Sequence, residues 1–308
     1  MSASACLRRA FVVVAFALLG AAAQAQLFRA YLASDGSDAN PCTVQAPCRL
    51  LPAALAAVKD GGEVWIMDSA NYNTGPVNIN KSVSILAIPG AVGSVVGSGG
   101  DAILINAPGA NVALRNLKIV NFQNGNNGIN MTAGAILTVE DCEVVGFSLN
   151  SRAGIYVKTA ADASIVRTTV RQNYFGIVFD GGANGSVAHV NAVHNQSGGI
   201  SAYGTVDATT TTVSVAESVA NHNGVGFAST RLSGSAVTKL SVSRSTASHN
   251  DTGFYVALGN TITVSGSVAS HNNTAFSNVS AIFRTLQDNA LSDNATDVQG
   301  MLTLVTPK

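Results

Sequence analysis

Gly154-Ile155-Tyr156-Val157, Gly176-Ile177-Val178-Phe179 and Gly199-Ile200-Ser201-Ala202 repeat one pattern: a small residue, then apolar, variable, apolar. The pattern runs outward in both directions. Upstream it reads Gly128-Ile129-Asn130-Met131, Ala102-Ile103-Leu104-Ile105 and Pro76-Val77-Asn78-Ile79. Downstream it reads Gly226-Phe227-Ala228-Ser229, Gly253-Phe254-Tyr255-Val256 and Ala275-Phe276-Ser277. Successive copies start 26, 26, 26, 22, 23, 27, 27 and 22 residues apart. Such a period marks a solenoid or a propeller. Second β-like runs lie inside the intervals at Ile136–Val139, Ser164–Val166, Val213–Val215, Leu240–Val242 and Ile262–Val264. Two or three short strands per period are too few for a propeller blade of about 40–45 residues. They fit one coil of a parallel β-helix, with coils stacked at about 4.8 Å. The fold read here is all-β: a single-stranded right-handed parallel β-helix of about nine coils, with an N-terminal capping helix.

Composition agrees. The chain has 308 residues, 47% hydrophobic, 11% charged, with 30 glycines and a formal net charge of zero. That excludes a disordered chain, which needs low hydrophobicity and high charge. It also excludes a basic surface for nucleic acid phosphates. Arg8 and Arg9 precede an apolar run from Ala10 to Ala23, and Ala23-Gln24-Ala25 supplies a small-residue cleavage site. This is the pattern of a secretory signal peptide. The run is short for a membrane span, which takes about 20 residues, so the mature chain is expected to carry no transmembrane segment. Residues 1–25 read as the signal, 26–62 as an N-terminal loop and a capping helix over Leu50 to Val58 that stops at Asp60-Gly61-Gly62, and 63–308 as the β-helix with a C-terminal cap. Cleavage after Ala25 would deliver a secreted or periplasmic protein. In such a compartment Cys42 and Cys48, in a Pro-flanked loop, are expected to form a local disulfide. Cys142 is left without a partner and reads as a buried, inert thiol.

Aligning the residues before each small residue gives three columns. Asn173, Asn195, Asn223, Asn250 and Asn272 predict an amide ladder, since stacked amides hydrogen-bond along a stack of strands. One residue earlier stand Gln172, His194, His222, His249 and His271, which hold four of the five histidines. They read either as a surface ladder of imidazoles or as a site for Zn or Cu, because rungs about 4.8 Å apart bring rings close together. Asp141, Arg167, His189, Glu217 and Arg244 form a third column whose mixed signs suit ion pairs between rungs.

The N-terminal residues carry a family resemblance. Tyr31, Gly36-Ser37-Asp38-Ala39-Asn40-Pro41, Pro47, a helix over Ala53 to Val58, Gly61-Gly62, Val64 to Ile66 and Tyr72 resemble the entry segment of bacterial exported β-helix proteins of the pectate-lyase-like superfamily. Ile282 to Asn294 and Met301 to Val305 resemble the closing segment of such proteins. This superfamily holds lyases, hydrolases, epimerases and adhesins, so the resemblance speaks to fold more than to function. Its lyases place Lys or Arg as base, with Asp or Glu holding calcium, along one groove. The dense charged zone here contains Lys158 and Arg167 as base candidates, with Asp141 and Glu143 as candidate calcium ligands. No charge stands among the outward positions Asn78, Leu104, Asn130, Tyr156, Val178, Ser201, Ala228 and Tyr255. Tyr156 and Tyr255 on that strand column suit stacking against sugar rings.

The favoured reading is an exported, non-catalytic β-helix of the cell surface or periplasm. Its partner would be a polysaccharide or another cell-surface component, and it would need no cofactor. The alternative is a calcium-dependent polysaccharide lyase or a related carbohydrate-active enzyme. A periplasmic metal-binding β-helix that uses the histidine column comes third.

Overall fold

The computed structural model describes residues 26–306 apart from residue 233. The signal peptide expected over 1–25 therefore lies outside the described residues. Three parallel sheets of 12, 10 and 10 strands wind around one core, and each coil adds one strand to each sheet. The first sheet opens with Leu27–Leu32 paired to Val58–Ile66, the second with Ala70–Asn71 and the third with Val77–Ile79. The architecture is the all-β parallel β-helix of about nine turns that the repeat predicts.

The repeat aligns in space as it does in sequence. Val77, Ile103, Ile129, Ile155, Ile177, Ile200, Phe227, Phe254 and Phe276 are successive partners in the third sheet. All nine are buried. The column changes from branched aliphatic to aromatic, and the Phe227 and Phe254 rings stack with centroids 5.1 Å apart. Period-2 alternation turns these side chains inward, and no coil could bury them without its neighbours.

Two corners are built from single residues in the left-handed region. Between the first and second sheets stand Asn116, Asp141, Arg167, His189, Glu217 and Arg244, with φ between 45° and 54°. Between the second and third stand Gln172, His194, His222, His249, His271 and Asp293, with φ between 54° and 57°. One such residue turns the chain sharply within a connection of one to four residues. The conformation excludes β-branched side chains in practice and favours Asn, Asp and His among residues other than Gly. Two of the three columns found by alignment are therefore the exposed corners of the coil.

The residue after each corner points inward, and where it is polar it must be satisfied internally. At the second corner the amide ladder runs from Asn173 through Asn195, Asn223, Asn250 and Asn272 to Asn294. Each Oδ1 also accepts the backbone N–H of the residue one coil before, as Asn223 does from Asn195 at 2.9 Å. The first corner carries a second ladder of hydroxyls. Ser218, Ser245 and Ser267 accept from Val190, Ser218 and Ser245 N–H at 3.1–3.2 Å. Cys142 occupies this column. Its N–H donates to Thr168 Oγ1, and its Sγ lies 3.3 Å from the carbonyl of Glu140. Burial pushes the thiol up to about 12.

The helix α1 (Leu51–Ala57) buries Leu51, Ala54 and Leu55. It ends earlier than the composition suggests, because Val58 already begins the next strand. Asp60-Gly61-Gly62 is a bulge inside that strand and not a helix stop. Pairing jumps from Leu27–Val58 to Arg29–Glu63, and Gly61 takes φ 71°. Cys42 and Cys48 are joined as a disulfide beside this first coil. At the other end, residues 282–304 continue the sheets with strands Ile282–Thr285, Ala290–Ser292, Thr296–Gln299 and Thr303–Leu304. Met301 and Leu304 are exposed there. No helix among the described residues is long and apolar enough to cross a membrane.

Candidate functional site

The outer face of the third sheet carries the column Asn78, Leu104, Asn130, Tyr156, Val178, Ser201, Ala228, Tyr255 and Ser277 in register. Val178, Ser201, Ala228 and Ser277 are buried although they point away from the core. Larger side chains of the same face close over the middle of the column. Phe175 meets Tyr174 edge to face at 4.9 Å and Tyr203 at 5.4 Å between centroids. Tyr203 lies near Tyr174 and Tyr255. Burial, reinforced by those two hydroxyls, pushes the Tyr203 hydroxyl up to about 12. Four of the six tyrosines in the chain thus gather on this face with Phe175. All five residues are half-buried.

Asp180 anchors one edge of the cluster. It is fully buried. Its Oδ1 accepts from Gly181 N–H at 2.6 Å and Thr205 N–H at 2.9 Å. Its Oδ2 accepts from the Thr205 and Tyr156 hydroxyls, the latter at 3.2 Å. The Tyr156 hydroxyl is held well above the usual phenol range by burial and by the Asp180 carboxylate beside it. Lys158 follows Tyr156 on the same strand end, with Nζ 5.9 Å from the Tyr156 ring centroid. The structure therefore joins Tyr156, Lys158 and Tyr255 into one surface. It adds Tyr174, Phe175, Asp180 and Tyr203, which the sequence reading did not single out.

The other candidates lie elsewhere. Arg167 sits at the first corner, between the first and second sheets, and does not share a face with Lys158. Its guanidinium bonds Asp141 at 2.8 Å and also meets Glu140. Hydrogen bonds to Asp141 and then Glu140 raise its pKa above the ordinary arginine value. Arg167, followed by Arg115, holds the Glu140 carboxyl low, and Arg167 holds Asp141 low. Glu143 stands on the second sheet between Lys118 at 3.1 Å and Arg171 at 2.6 Å. Burial acts to raise Glu143, but those two cations outweigh it and lower its pKa. Asp141 and Glu143 are two residues apart in sequence, yet each carboxylate is engaged by its own basic partners. The same corner continues with His189–Glu217 at 3.3 Å and Arg244–Glu217 at 3.0 Å. These are exposed pairs between rungs, of the kind worth about 0–1 kcal/mol each.

The imidazoles of the second corner are exposed, with His222, His249 and His271 stacked and His194 tilted by 31° against His222. Centroids lie 4.7 Å apart for His194–His222 and 4.9 Å apart for His222–His249 and His249–His271. Among the described residues no three His, Cys, Asp or Glu side chains are grouped to hold a metal ion. Two open grooves lie on the N-terminal coils, away from the aromatic cluster. One, of about 430 Å³, runs beside Asp60, Asn80 and Lys81, and one of about 400 Å³ lies over Glu63, Ser84 and Thr138.

Residues 101–281 match the family model described as the right handed beta helix region. Comparison with curated protein sequences gave no match. Several solved structures are similar. Pectate lyase Pel9A superposes with a TM-score of 0.68 at 16% identity, over 92% of this chain and 78% of that one. XylC, solved in complex with xylose, gives 0.58 at 7% identity, over 85% of this chain and 69% of that one. Pectin methylesterase from carrot gives 0.50 at 11% identity, over 90% and 88%. At these identities the likeness is one of fold.

Proposed function

Because the chain belongs to the right-handed β-helix family, we propose that it is an exported, non-catalytic member that holds polysaccharide at the cell surface or in the periplasm. The contact surface is the outer face of the third sheet. The observation that carries this reading is the cluster of Tyr156, Tyr174, Phe175, Tyr203 and Tyr255, half-buried and gathered on one face. Aromatic faces suit the apolar faces of sugar rings, and their polar edges and neighbours suit sugar hydroxyls. Tyr174, Phe175 and Tyr203 are held by one another and Tyr156 by Asp180, so those rings lose little freedom when a ligand arrives. The separation of Lys158 from the engaged Arg167, Asp141 and Glu143 supports binding over lyase chemistry. The Cys42–Cys48 disulfide is compatible with an oxidising compartment.

The test is affinity electrophoresis of the purified chain through gels loaded with neutral and acidic polysaccharides. At least one glycan should retard the wild type. Tyr174→Ala and Tyr255→Ala should each weaken retardation roughly twofold to tenfold, as loss of one ring contact of about 0.5–1.5 kcal/mol implies. Retardation by no glycan, or variants that migrate like the wild type, would refute the proposal.

A further inference from the structure

Four of the five histidines occupy consecutive rungs of one corner. The left-handed conformation explains why His is tolerated there, but Asn, Asp, Gly and Gln would serve as well, as Gln172, Gly146 and Asp293 do in the same column. The rings stand in solvent while the residue behind each, Asn195, Asn223, Asn250 or Asn272, is locked in the buried amide ladder. Backbone spacing along the row is therefore fixed by the core, and neighbouring centroids repeat at 4.7, 4.9 and 4.9 Å. His222 carries a further feature. Its Nδ1 abuts the Oδ1 of Asn221; in the tautomer that donates to this oxygen, Nε2 keeps a free lone pair. Orienting one ring nitrogen by hydrogen-bonding the other is what second-shell groups do for metal-bound histidines.

We propose that the row from His194 to His271 is a surface site for divalent late first-row transition ions, with imidazoles on adjacent rungs acting as a two-nitrogen clamp. Imidazole suits zinc, copper and nickel, and no carboxylate is needed for those ions. Along the row the neighbouring ring planes of His222, His249 and His271 are within 8° of parallel. Exposed side chains change rotamer freely. A change of rotamer that tilts two neighbouring rings toward each other brings both Nε2 atoms to one ion, and water completes its coordination. Four rings make two such clamps, His194 with His222 and His249 with His271. This site does not depend on the glycan reading, since it uses none of the aromatic residues.

The test is isothermal titration of the metal-stripped, purified chain with copper(II) and zinc chloride, with electron paramagnetic resonance of the copper form. The wild type should take up two copper ions saturably, with splitting from nitrogen ligands. His222→Asn should leave one ion, bound by His249 and His271. His222→Asn/His249→Asn should leave isolated rings and weaken uptake at least roughly tenfold. Asn is at home in the left-handed conformation, so a circular dichroism melt should find both variants folded. Should the double variant unfold, the halved stoichiometry of the single variant decides. His189→Asn, outside the row, should bind as the wild type does. Equal uptake by the wild type and the His222 variants, no uptake by the wild type, or copper signals without nitrogen splitting would overturn the proposal.

Discussion

Replacing Asn223 by Ala should destabilise the chain by roughly 3–5 kcal/mol. The Asn223 Oδ1 accepts from Asn195 N–H and Nδ2, both at 2.9 Å, and its Nδ2 donates to Ala192 O at 3.0 Å and Asn250 Oδ1 at 3.1 Å. Truncation strands the buried Asn195 N–H outright, at roughly 1–3 kcal/mol, and removes three further bonds worth roughly 0.5–1.5 kcal/mol each. These terms overlap along one network, which keeps the sum toward the lower end. The assay is urea unfolding followed by circular dichroism, with hydrogen exchange at the Asn195 amide as a local readout. His222→Asn, one residue away on the surface, is the control and should stay within about 0.5 kcal/mol of the wild type. Asn294→Ala, on the half-exposed last rung, should cost clearly less than Asn223→Ala. A loss below about 1 kcal/mol at Asn223, with Asn195 still protected, would refute the ladder's structural role.

Three further outcomes are expected. Burial first, then the neighbouring His194 and His249, lower the His222 pKa below its ordinary 6.5, so the unfolded chain binds the proton more readily than the folded one. Stability is therefore full above about pH 6.5 and falls as pH drops through the folded value. Between pH 7.5 and 5 the Tm of the wild type should fall more than that of His222→Asn, and a rise on acidification would contradict the sign. Cys142→Ser should keep the Tm within a few degrees, because a hydroxyl is what its column otherwise holds at Thr168, Ser218, Ser245 and Ser267. Cys142→Ala should cost about 1 kcal/mol more by calorimetry, and equal losses would argue against the hydroxyl ladder. Reducing Cys42–Cys48, which closes a loop with a sequence separation of 6, should cost roughly 2–3 kcal/mol, and an unchanged calorimetric Tm would refute that.

The coil was legible because its constraints act at fixed sequence intervals. Inward apolar positions, left-handed corners and the residue behind each corner recur with the period, so alignment recovered Ile129 through Phe276 and the Asn and His columns. The hydroxyl ladder was less visible because it mixes Cys142, Thr168, Val190 and Ser218, whose common feature is a small side chain at one backbone position. The aromatic face was harder still. Tyr174 and Phe175 precede the repeated small residue, while Asp180 and Tyr203 follow the motif, and only parallel register brings them beside Tyr156 and Tyr255. A scan for aromatics at the outward positions flanking the motif would have found them. Asp60-Gly61-Gly62 misled for a different reason. Left-handed glycine serves a strand bulge as readily as a helix terminus, and pairing with Leu27–Leu32 decided between the two.

The most direct test of a binding, non-catalytic role is to incubate the purified chain with acidic polysaccharides, with and without calcium. Ultraviolet absorbance would follow unsaturated uronates, and parallel aliquots would be assayed for glycan binding. The account predicts saturable binding weakened in Tyr174→Ala and Tyr255→Ala, with no absorbance growth. Sustained product formation that is lost in Lys158→Ala would contradict it and establish a lyase.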